Sequence, residues 1–205
     1  MNKKIFIIIP AYNEEKNIYA VLESLKDFSN IIVVDDFSSD NTYDIAKSFD
    51  YIHIIKHDKN SGYDKALNSG FKKAATLGAD FMITYDADGQ HLVQNLKIFI
   101  EKLFMNNHLV VGRRKNTQRF MEKIFSMITK NLYNISDPLS GMKAYSVKIY
   151  NEMGFFDNYN SIGTQLMLYA IKKKYDYCEV DILTEKRIGS SRFGGILISN
   201  YKILK

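Results

Sequence analysis

Short runs of apolar, mostly β-branched residues alternate along the chain with longer segments whose apolar positions repeat at helical spacing. The short runs show little alternation of apolar and polar positions, as is typical of strands that are covered on both faces. Such strands, separated by helices, predict an α/β fold with a parallel sheet. The predicted strands lie at residues 4–10, 31–35, 51–56, 80–85 and 109–112.

Three helices are predicted between these strands, each by an apolar stripe that is expected to face the core. Gly78 follows the second stripe, where a left-handed residue commonly ends a helix. The stripes consist of Ile18, Val21, Leu22 and Leu25, then of Leu67, Phe71 and Ala74, and then of Leu92, Leu96, Phe99, Ile100 and Leu103.

The second half of the chain is less regular. Residues 137–146 read as a turn that leads into a strand, a helix is predicted around 166–171, and another strand lies within 177–184. A further helix precedes the turn, because apolar residues recur there at helical spacing. Its stripe consists of Phe120, Ile124, Met127 and Ile128.

Composition favours one folded domain. Hydrophobic residues make up 46% and charged residues 25% of the 205 residues, which is ordinary for a globular protein. Two prolines and the lack of a Ser- or Gly-rich linker give no sign of a domain boundary, so we expect a single α/β domain over 1–205. No apolar run approaches the roughly 18 to 20 residues of a spanning helix, and the N-terminal run is too short for a signal peptide. A cytoplasmic protein is expected, with at most peripheral contact with a membrane surface.

The net charge of +5 is mild, and its location matters more than its size. Residues 186–205 hold five basic side chains and no acid. This segment is interpreted either as a solvated tail or as a patch that faces phosphate groups of a substrate or an anionic membrane. Its partly apolar end either packs on the domain or lies on a membrane as an amphipathic helix. Nucleic acid is not an expected partner, because no long basic stripe is interleaved with aromatic residues.

Acidic loops follow three of the predicted strands, at residues 10–15, 35–42 and 86–91. The carboxyl ends of parallel strands border the crevice in which α/β proteins bind ligands. Acids gathered there in a basic protein predict a divalent cation, and hard oxygen ligands suit Mg²⁺ or Mn²⁺. The alternative is that Asp86 and Asp88 only shape a turn.

Seven short segments follow one another along the chain. They are IIIPAYNEE, IVVDDFSSDNT, SGYDKALNSGFKKA, ITYDADGQH, VVGRR, DPLSGMKAY and KRIGSSR, in this order. Together they resemble family 2 glycosyltransferases with the GT-A fold, a mostly parallel sheet flanked by helices. The similarity is greatest to the polyprenyl-phosphate sugar synthases, the group of dolichol-phosphate mannose synthase, and it covers residues 4–194. It implies a nucleotide-sugar-binding half over about 1–112 and an acceptor-side half over about 113–205.

The resemblance implies a metal-dependent, inverting transfer of a hexose from a GDP- or UDP-sugar to polyprenyl phosphate. Two alternatives stay open. In one, the same donor serves a sugar or glycolipid hydroxyl in cell-surface polysaccharide synthesis. In the other, the chain is a silent nucleotide-binding module. Many members of the polyprenyl-phosphate group continue into membrane helices. No such helix is predicted in this sequence, which weakens the lipid-acceptor interpretation.

Donor-site residues follow from the same resemblance. It implies that Pro10, Tyr12 and Glu14 hold the base and ribose of the nucleotide, and that Val34 and Asp36 form the second wall of that pocket. An aromatic ring offers a flat surface to a base, and carboxylates accept hydrogen bonds from ring N–H groups and ribose hydroxyls.

The DADGQH segment is expected to hold the diphosphate and the metal. The resemblance implies that Asp86, Ala87 and Asp88 line the diphosphate, and that Asp86, Asp88 and Gln90 bind the cation, which stabilises the leaving nucleoside diphosphate. His91 is a third ligand, a base, or a residue that only caps the next helix.

The resemblance implies that three arginines contact phosphate, namely Arg114, Arg187 and Arg192. Arg192 stands where a lysine is usual in the family, and its planar guanidinium keeps the charge with a different geometry.

Asp137, Ser140 and Gly141 match the family turn beside the acceptor, which we call the acceptor turn (137–141). A hydroxyl acceptor needs a base, and Asp137 is the candidate. A phosphate acceptor is already anionic, and in that case Asp137 only orders the turn. Asp88, Asp137 and Arg187 are therefore the residues expected to take part in catalysis.

Overall fold

Seven strands form one sheet within residues 3–115 and 120–185, the parts of the chain that the computed structural model describes. The strands are β1 (Ile5–Ala11), β2 (Ile31–Asp35), β3 (Ile52–Lys56), β4 (Phe81–Thr84), β5 (Leu109–Arg114), β6 (Lys143–Ser146) and β7 (Tyr177–Ile182). Their order across the sheet is β3-β2-β1-β4-β6-β5-β7. Only β6 runs antiparallel to its neighbours, β4 and β5. The predicted α/β class with a mostly parallel sheet is confirmed.

The helices of these ranges are α1 (Ile18–Ser24), α2 (Thr42–Lys47), α3 (Tyr63–Thr76), α4 (Val93–Phe104), α5 (Phe120–Tyr133), α6 (Val147–Met153) and α7 (Thr164–Lys172). The apolar pattern does not predict α2 and α6, which are 6 and 7 residues long and bury only two residues each. Gly78 has a φ of 78° directly after α3, as predicted. None of the helices in the described ranges is long and apolar enough to cross a membrane.

Both faces of the sheet are covered by apolar layers. Ile8 and Ile9, which point to opposite faces, are both 0% exposed. Ile9 packs in the layer that contains Leu22 of α1, whereas Ile8 packs in the layer that contains Phe71 of α3. Full burial of a side chain of this size contributes about 1.5 to 3 kcal/mol. The central strands β1, β2 and β4 therefore carry continuous apolar runs, without a polar face for solvent.

The reversed direction of β6 brings the acceptor turn to the edge where β4 ends. The Thr84 hydroxyl, at the end of β4, donates a hydrogen bond to the Gly141 carbonyl at 2.6 Å, and it accepts one from the Lys143 backbone nitrogen at 2.8 Å. The loops after β1, β2 and β4 leave the sheet at the same edge, because these three strands are parallel. The segments that the sequence predicts to bind the donor and the acceptor thus meet at one end of the sheet.

Candidate active site

The loops that follow β1 and β2 are joined by hydrogen bonds. The Asn13 side chain accepts from the Ser39 backbone nitrogen at 2.8 Å, and the Asn13 backbone nitrogen donates to the Ser38 hydroxyl at 2.9 Å. The Glu14 backbone nitrogen donates to the Thr42 hydroxyl at 2.7 Å. These contacts join the two loops into one continuous wall.

The residues predicted to hold the base and ribose lie along this wall. Pro10 of β1 and Val34 of β2 are opposite each other in the strand register, and both are buried. Glu14 is 5% exposed and accepts a hydrogen bond from the Asn17 side chain at 2.8 Å. Tyr12, just beyond β1, is half-buried. Among these four residues Tyr12 keeps the most accessible surface for a base.

Asp36, which is predicted to line the nucleotide pocket, is buried and contacts the segment that precedes α3. It is 3% exposed. One carboxylate oxygen accepts from the Ser61 backbone nitrogen at 2.9 Å and contacts His57 Nδ1 at 2.7 Å, and the other accepts from the Gly62 backbone nitrogen at 2.7 Å. Asp36 thereby anchors the loop before α3. Its contact with a nucleotide stays a prediction.

Asp86 lies at the centre of the candidate site, with 25% of its side chain exposed. The Tyr63 hydroxyl donates to Oδ1 at 2.7 Å, and His91 Nε2 lies 3.0 Å from Oδ2. Burial alone would raise the pKa of Asp86, but the hydrogen bond and charge of His91, the Tyr63 hydroxyl and the charge of Arg114 lower it overall. The carboxylate is therefore held in the charged form that a cation requires.

Asp88 and Gln90 flank a tight turn beside Asp86. Asp88 is 9% exposed and its Oδ1 accepts from the Gln90 backbone nitrogen at 3.1 Å. Gly89 between them has a φ of 75°, which a residue with a side chain rarely adopts. Gln90 Nε2 donates to the Glu185 carbonyl at 3.3 Å, which leaves the amide oxygen as the end of this side chain that can bind a cation.

These residues fit a hard cation. Within 3–115 and 120–185, no three acidic, histidine or cysteine side chains group as ligands around one point. Mg²⁺ is commonly bound by one or two carboxylates, with water and substrate phosphate completing its shell. Each oxygen of Asp86 accepts one hydrogen bond here and retains a second lone pair. The set of Asp86, Asp88 and Gln90 therefore suits a cation that arrives with a diphosphate.

His91 supports Asp86 from the protein interior. It is 6% exposed, and its carbonyl accepts a hydrogen bond from the Tyr85 hydroxyl. A bridge to Thr184 fixes the backbone at His91. Because Nε2 faces Asp86, the imidazole orients this carboxylate, and it is not a solvent-exposed capping residue.

The acceptor turn touches Asp86. A Cβ built on Gly141 would lie 2.4 Å from Asp86 Oδ2, far inside van der Waals contact. Only a glycine leaves room for the carboxylate at this position. The predicted acceptor side of the site therefore lies directly against the residues predicted to hold the diphosphate and the metal.

Arg114 and Asp137 form a bidentate pair at the other end of the turn. Arg114 Nε donates to Oδ2 at 2.7 Å and Nη2 donates to Oδ1 at 2.9 Å. Asp137 is 1% exposed, whereas 28% of the Arg114 side chain is accessible. Both oxygens of the predicted base are thus engaged, and the guanidinium keeps an accessible surface beside the acceptor turn.

Comparison with known proteins decides the family. Residues 6–163 match the family described as Glycosyl transferase family 2. The chain belongs to glycosyl transferase family 2. It is 35% identical to the UDP-N-acetylglucosamine–dolichyl-phosphate N-acetylglucosaminyltransferase of Methanococcus voltae, with 89% of this chain and 86% of that protein covered. It is 25% identical to the polyprenol monophosphomannose synthase of Mycolicibacterium smegmatis, over 94% of this chain and 82% of that protein.

Solved structures of glycosyltransferases share the fold. The glucosyl-3-phosphoglycerate synthase of Mycobacterium tuberculosis, in complex with Mn²⁺, UDP-glucose and phosphoglyceric acid, superposes with a TM-score of 0.75 at 17% identity. The match covers 92% of this chain and 73% of that chain. The predicted GT-A fold and the prediction of a glycosyltransferase are confirmed.

Several supporting residues of this family 2 glycosyltransferase escape sequence reasoning. Tyr63 lies in a quoted segment, but nothing local shows that its hydroxyl reaches Asp86. Glu179 of β7 accepts hydrogen bonds from the backbone nitrogens of Ser136 and Asp137 at 2.6 and 2.9 Å, and its acidic character within an apolar strand is the one signal. These partners lie far apart in sequence, so that only the folded chain brings them together.

Lys143 is a further supporting residue, at the start of β6. It is 1% exposed, and its ammonium donates to the carbonyls of Ser140 at 2.9 Å and Ile162 at 2.7 Å. It thus ties the acceptor turn to the loop before α7. Two predicted phosphate-binding residues, Arg187 and Arg192, lie outside the described residues, and their roles stay predictions.

Proposed function

We propose that this glycosyltransferase transfers a sugar from a UDP-sugar to a polyprenyl phosphate, assisted by Mg²⁺ or Mn²⁺. The names of the M. voltae and M. smegmatis relatives support a polyprenyl-type phosphate acceptor, and the former supports a UDP-linked donor. The acid pair at Asp86 and Asp88, with the amide of Gln90, supports the metal.

One observation carries the choice of acceptor. Both carboxylate oxygens of Asp137 accept hydrogen bonds from Arg114, so the candidate base is committed to a cation. A hydroxyl acceptor must lose its proton to a base, whereas a phosphate acceptor attacks as an anion. The pair therefore favours a phosphate acceptor, which the accessible surface of Arg114 would also attract.

In the proposed step, a phosphate oxygen of the acceptor forms a bond to the anomeric carbon from the face opposite the nucleotide. The bond from that carbon to the diphosphate breaks, and its electron pair stays on the leaving UDP. A cation bound by Asp86, Asp88 and Gln90 would offset this charge. The acceptor turn is well placed for such an attack, because Gly141 lies against Asp86.

The donor side is tested by nucleotide-dependent thermal shift. UDP-, GDP- and dTDP-sugars are screened with Mn²⁺ or chelator, on the wild type, on Asp88→Ala and on Asp50→Ala, a control that changes an exposed acid outside the site. A ligand that binds the folded state raises the melting temperature. We expect UDP-sugars to stabilise the wild type and the control only with metal, and to leave Asp88→Ala unchanged. No shift with any nucleotide would instead support a silent module.

The acceptor side is tested by transfer from the stabilising donor. A short-chain, water-soluble polyprenyl phosphate is compared with an alkyl glycoside that offers hydroxyl groups only. Product on the phosphate alone supports the proposal. Product on the glycoside alone would move this chain to the polysaccharide or glycolipid alternative.

A further inference from the structure

Helix α5 shows the reverse of the usual amphipathic arrangement. Its polar residues Glu122 and Thr129 are 7% and 2% exposed, on the side that faces the domain. Four of its large apolar side chains are exposed. We call these the α5 stripe, which consists of Phe120 (68% exposed), Met127 (61%), Ile128 (47%) and Leu132 (65%).

The inward face of α5 is fixed by polar contacts. Glu122 Oε2 lies 3.6 Å from Arg114 Nη2, and the Thr129 hydroxyl donates to the Ile135 carbonyl at 2.8 Å. Turning the helix to bury its stripe would break these contacts and leave Arg114 with less negative charge around it. The exposed stripe is thus a consequence of how α5 supports the site. A helix surface with this much apolar area requires a partner.

The charge beside the stripe indicates what kind of partner it is. Lys123 and Lys130 are exposed and lie seven residues apart, and therefore on the same side of α5. The only acid of this helix, Glu122, faces the domain. An apolar stripe bordered by lysines matches a bilayer surface, in which acyl chains lie below anionic headgroups.

The position of α5 gives this surface a use. The helix ends at Tyr133, and the acceptor turn begins four residues later at Asp137. Arg114 contacts both Asp137 and Glu122 of the helix. A partner on the α5 stripe would therefore lie close to the point where a lipid-linked phosphate must enter.

We propose that α5 docks this protein on an anionic phospholipid bilayer, with the α5 stripe in the acyl region and Lys123 and Lys130 on the headgroups. The inference rests on the proposed function in one respect, namely that the bilayer contains the acceptor. A second copy of the chain is less suited to the stripe, because stripe-to-stripe packing brings lysines from both helices together and supplies no acid from either exposed face.

Vesicle sedimentation tests the docking without donor or acceptor. The full chain is centrifuged with anionic vesicles of phosphatidylcholine and phosphatidylglycerol, or with vesicles of phosphatidylcholine alone. Met127→Asn/Leu132→Asn should lower the partition to anionic vesicles by about tenfold or more, because two inserted apolar side chains are lost. The matched control Phe104→Asn/Met105→Asn changes side chains that are 52% and 66% exposed at the end of α4, and it should bind as the wild type does.

The lysines are tested in the same assay. Each basic residue near an anionic surface contributes about fivefold in affinity. Lys123→Gln/Lys130→Gln should therefore lower binding to anionic vesicles by about tenfold or more and have little effect on phosphatidylcholine. The control is Lys72→Gln/Lys73→Gln, at exposed positions of α3. Equal binding of the wild type to both vesicle types would overturn the role of the lysines.

Three results would overturn the docking itself. The first is that the wild type does not sediment with anionic vesicles. The second is that Met127→Asn/Leu132→Asn, the α5 stripe variant, sediments as well as the wild type. The third is that the wild type is a dimer in size-exclusion chromatography and the stripe variant a monomer, with unchanged vesicle binding; the stripe would then be a contact between copies. Urea unfolding checks that each variant is folded.

Failure of the docking and failure of the proposed function give different results. If the chain transfers sugar to a water-soluble polyprenyl phosphate but shows no stripe-dependent vesicle binding, the docking alone is wrong. If vesicle binding depends on the stripe but no polyprenyl phosphate is glycosylated, the docking holds and the acceptor of the proposed function is wrong.

Discussion

Arg114 holds Asp137 through two hydrogen bonds from its guanidinium and a third from its backbone nitrogen, at 2.7, 2.9 and 3.0 Å. This arrangement makes Asp137 a residue that positions Arg114, and it determines how substitutions at either position should behave.

Asp137→Asn should weaken the fold and the acceptor site together. The loss of charge in a buried pair is expected to lower the free energy of unfolding by about 2 kcal/mol. Turnover on polyprenyl phosphate should fall by about tenfold, mainly through a higher KM for the acceptor, as Arg114 loses its fixed orientation. Urea unfolding and steady-state kinetics measure both effects.

The neighbouring surface pair provides the control. Arg113 Nε donates to Asp181 at 2.6 Å, and the two side chains are 43% and 56% exposed, so Asp181→Asn should change stability by less than about 1 kcal/mol. A loss of kcat of about 100-fold or more in Asp137→Asn, with loss of a limb of the pH–rate profile and an unchanged acceptor KM, would show that Asp137 is a catalytic base after all.

Gly141→Ala should reduce metal-dependent nucleotide binding. The added Cβ would lie 2.4 Å from Asp86 Oδ2, so either the carboxylate or the acceptor turn must move. The increase in melting temperature that a UDP-sugar gives with Mn²⁺ should shrink by at least half.

Gly78→Ala serves as the contrasting substitution. Its Cβ meets nothing within 4 Å, but its φ of 78° is strained for alanine. It should destabilise the protein by about 1 to 2 kcal/mol and leave the nucleotide-induced shift intact. The same pattern in Gly141→Ala would contradict a specific contact with Asp86.

Tyr63→Phe should weaken the metal-nucleotide complex by about tenfold, because Asp86 loses a hydrogen bond donor at 2.7 Å. Titration calorimetry with UDP-sugar and Mn²⁺ gives the affinity. Tyr51→Phe is matched to it, since the Tyr51 hydroxyl donates to the Leu22 carbonyl at 2.7 Å, away from the site. If both variants bind nucleotide equally well, Tyr63 does not support the predicted ligand.

Asp64 should make the stability of the protein depend on pH. Asp64 is 3% exposed, and burial, reinforced by the charge of Asp157, raises its pKa to about 7. The unfolded value is about 3.9, so the folded state binds this proton more tightly. The contribution of Asp64 to stability is then full below about pH 4 and is lost as the pH rises to about 7.

Asp64→Asn removes this dependence. The wild type loses this stability as the pH rises and the variant does not. The free energy of unfolding of the variant minus that of the wild type should therefore increase by about 2 kcal/mol from pH 5 to pH 7.5, as measured by urea denaturation. Burial lowers the pKa of Lys143 to about 8, so the comparison stops below that value. The free energy of unfolding of Asp50→Asn, a substitution at an exposed position, should change with pH as that of the wild type does. If Asp64→Asn also shows the pH dependence of the wild type, Asp64 is ionised throughout this range.

The sequence predicts those parts of the fold that depend on local apolar pattern. The strands and the longer helices lie within a few residues of their predicted bounds, because full burial on both faces leaves a continuous apolar run. The pattern has no direction, and so the reversal of β6 could not be read from it. It also cannot tell which side of a helix is covered: the stripe through Phe120 and Met127 predicts α5 correctly, yet it points outward.

The candidate site also has a part that the sequence predicts and a part that it does not. The order of short segments predicts Asp86, Asp88 and Gln90 as cation ligands, since these are local in sequence. The partners that fix them are distant: Tyr63 reaches Asp86 from α3, and Gly141 approaches it from the acceptor turn. Asp137 is identified by its segment, but its commitment to Arg114 depends on the pairing of β5 with β6.

The antiparallel β6 also makes part of this molecule exchangeable. Gly112, near the end of β5, and Met142, just before β6, lie next to each other, since the Gly112 backbone nitrogen donates to the Met142 carbonyl at 3.0 Å. Everything between these two residues is one excursion with adjacent ends, and replacing such a segment costs little loop-closure entropy. If the acceptor turn binds the acceptor as proposed, a chimera that receives this segment from a relative should keep the donor of this chain and adopt the acceptor of the relative.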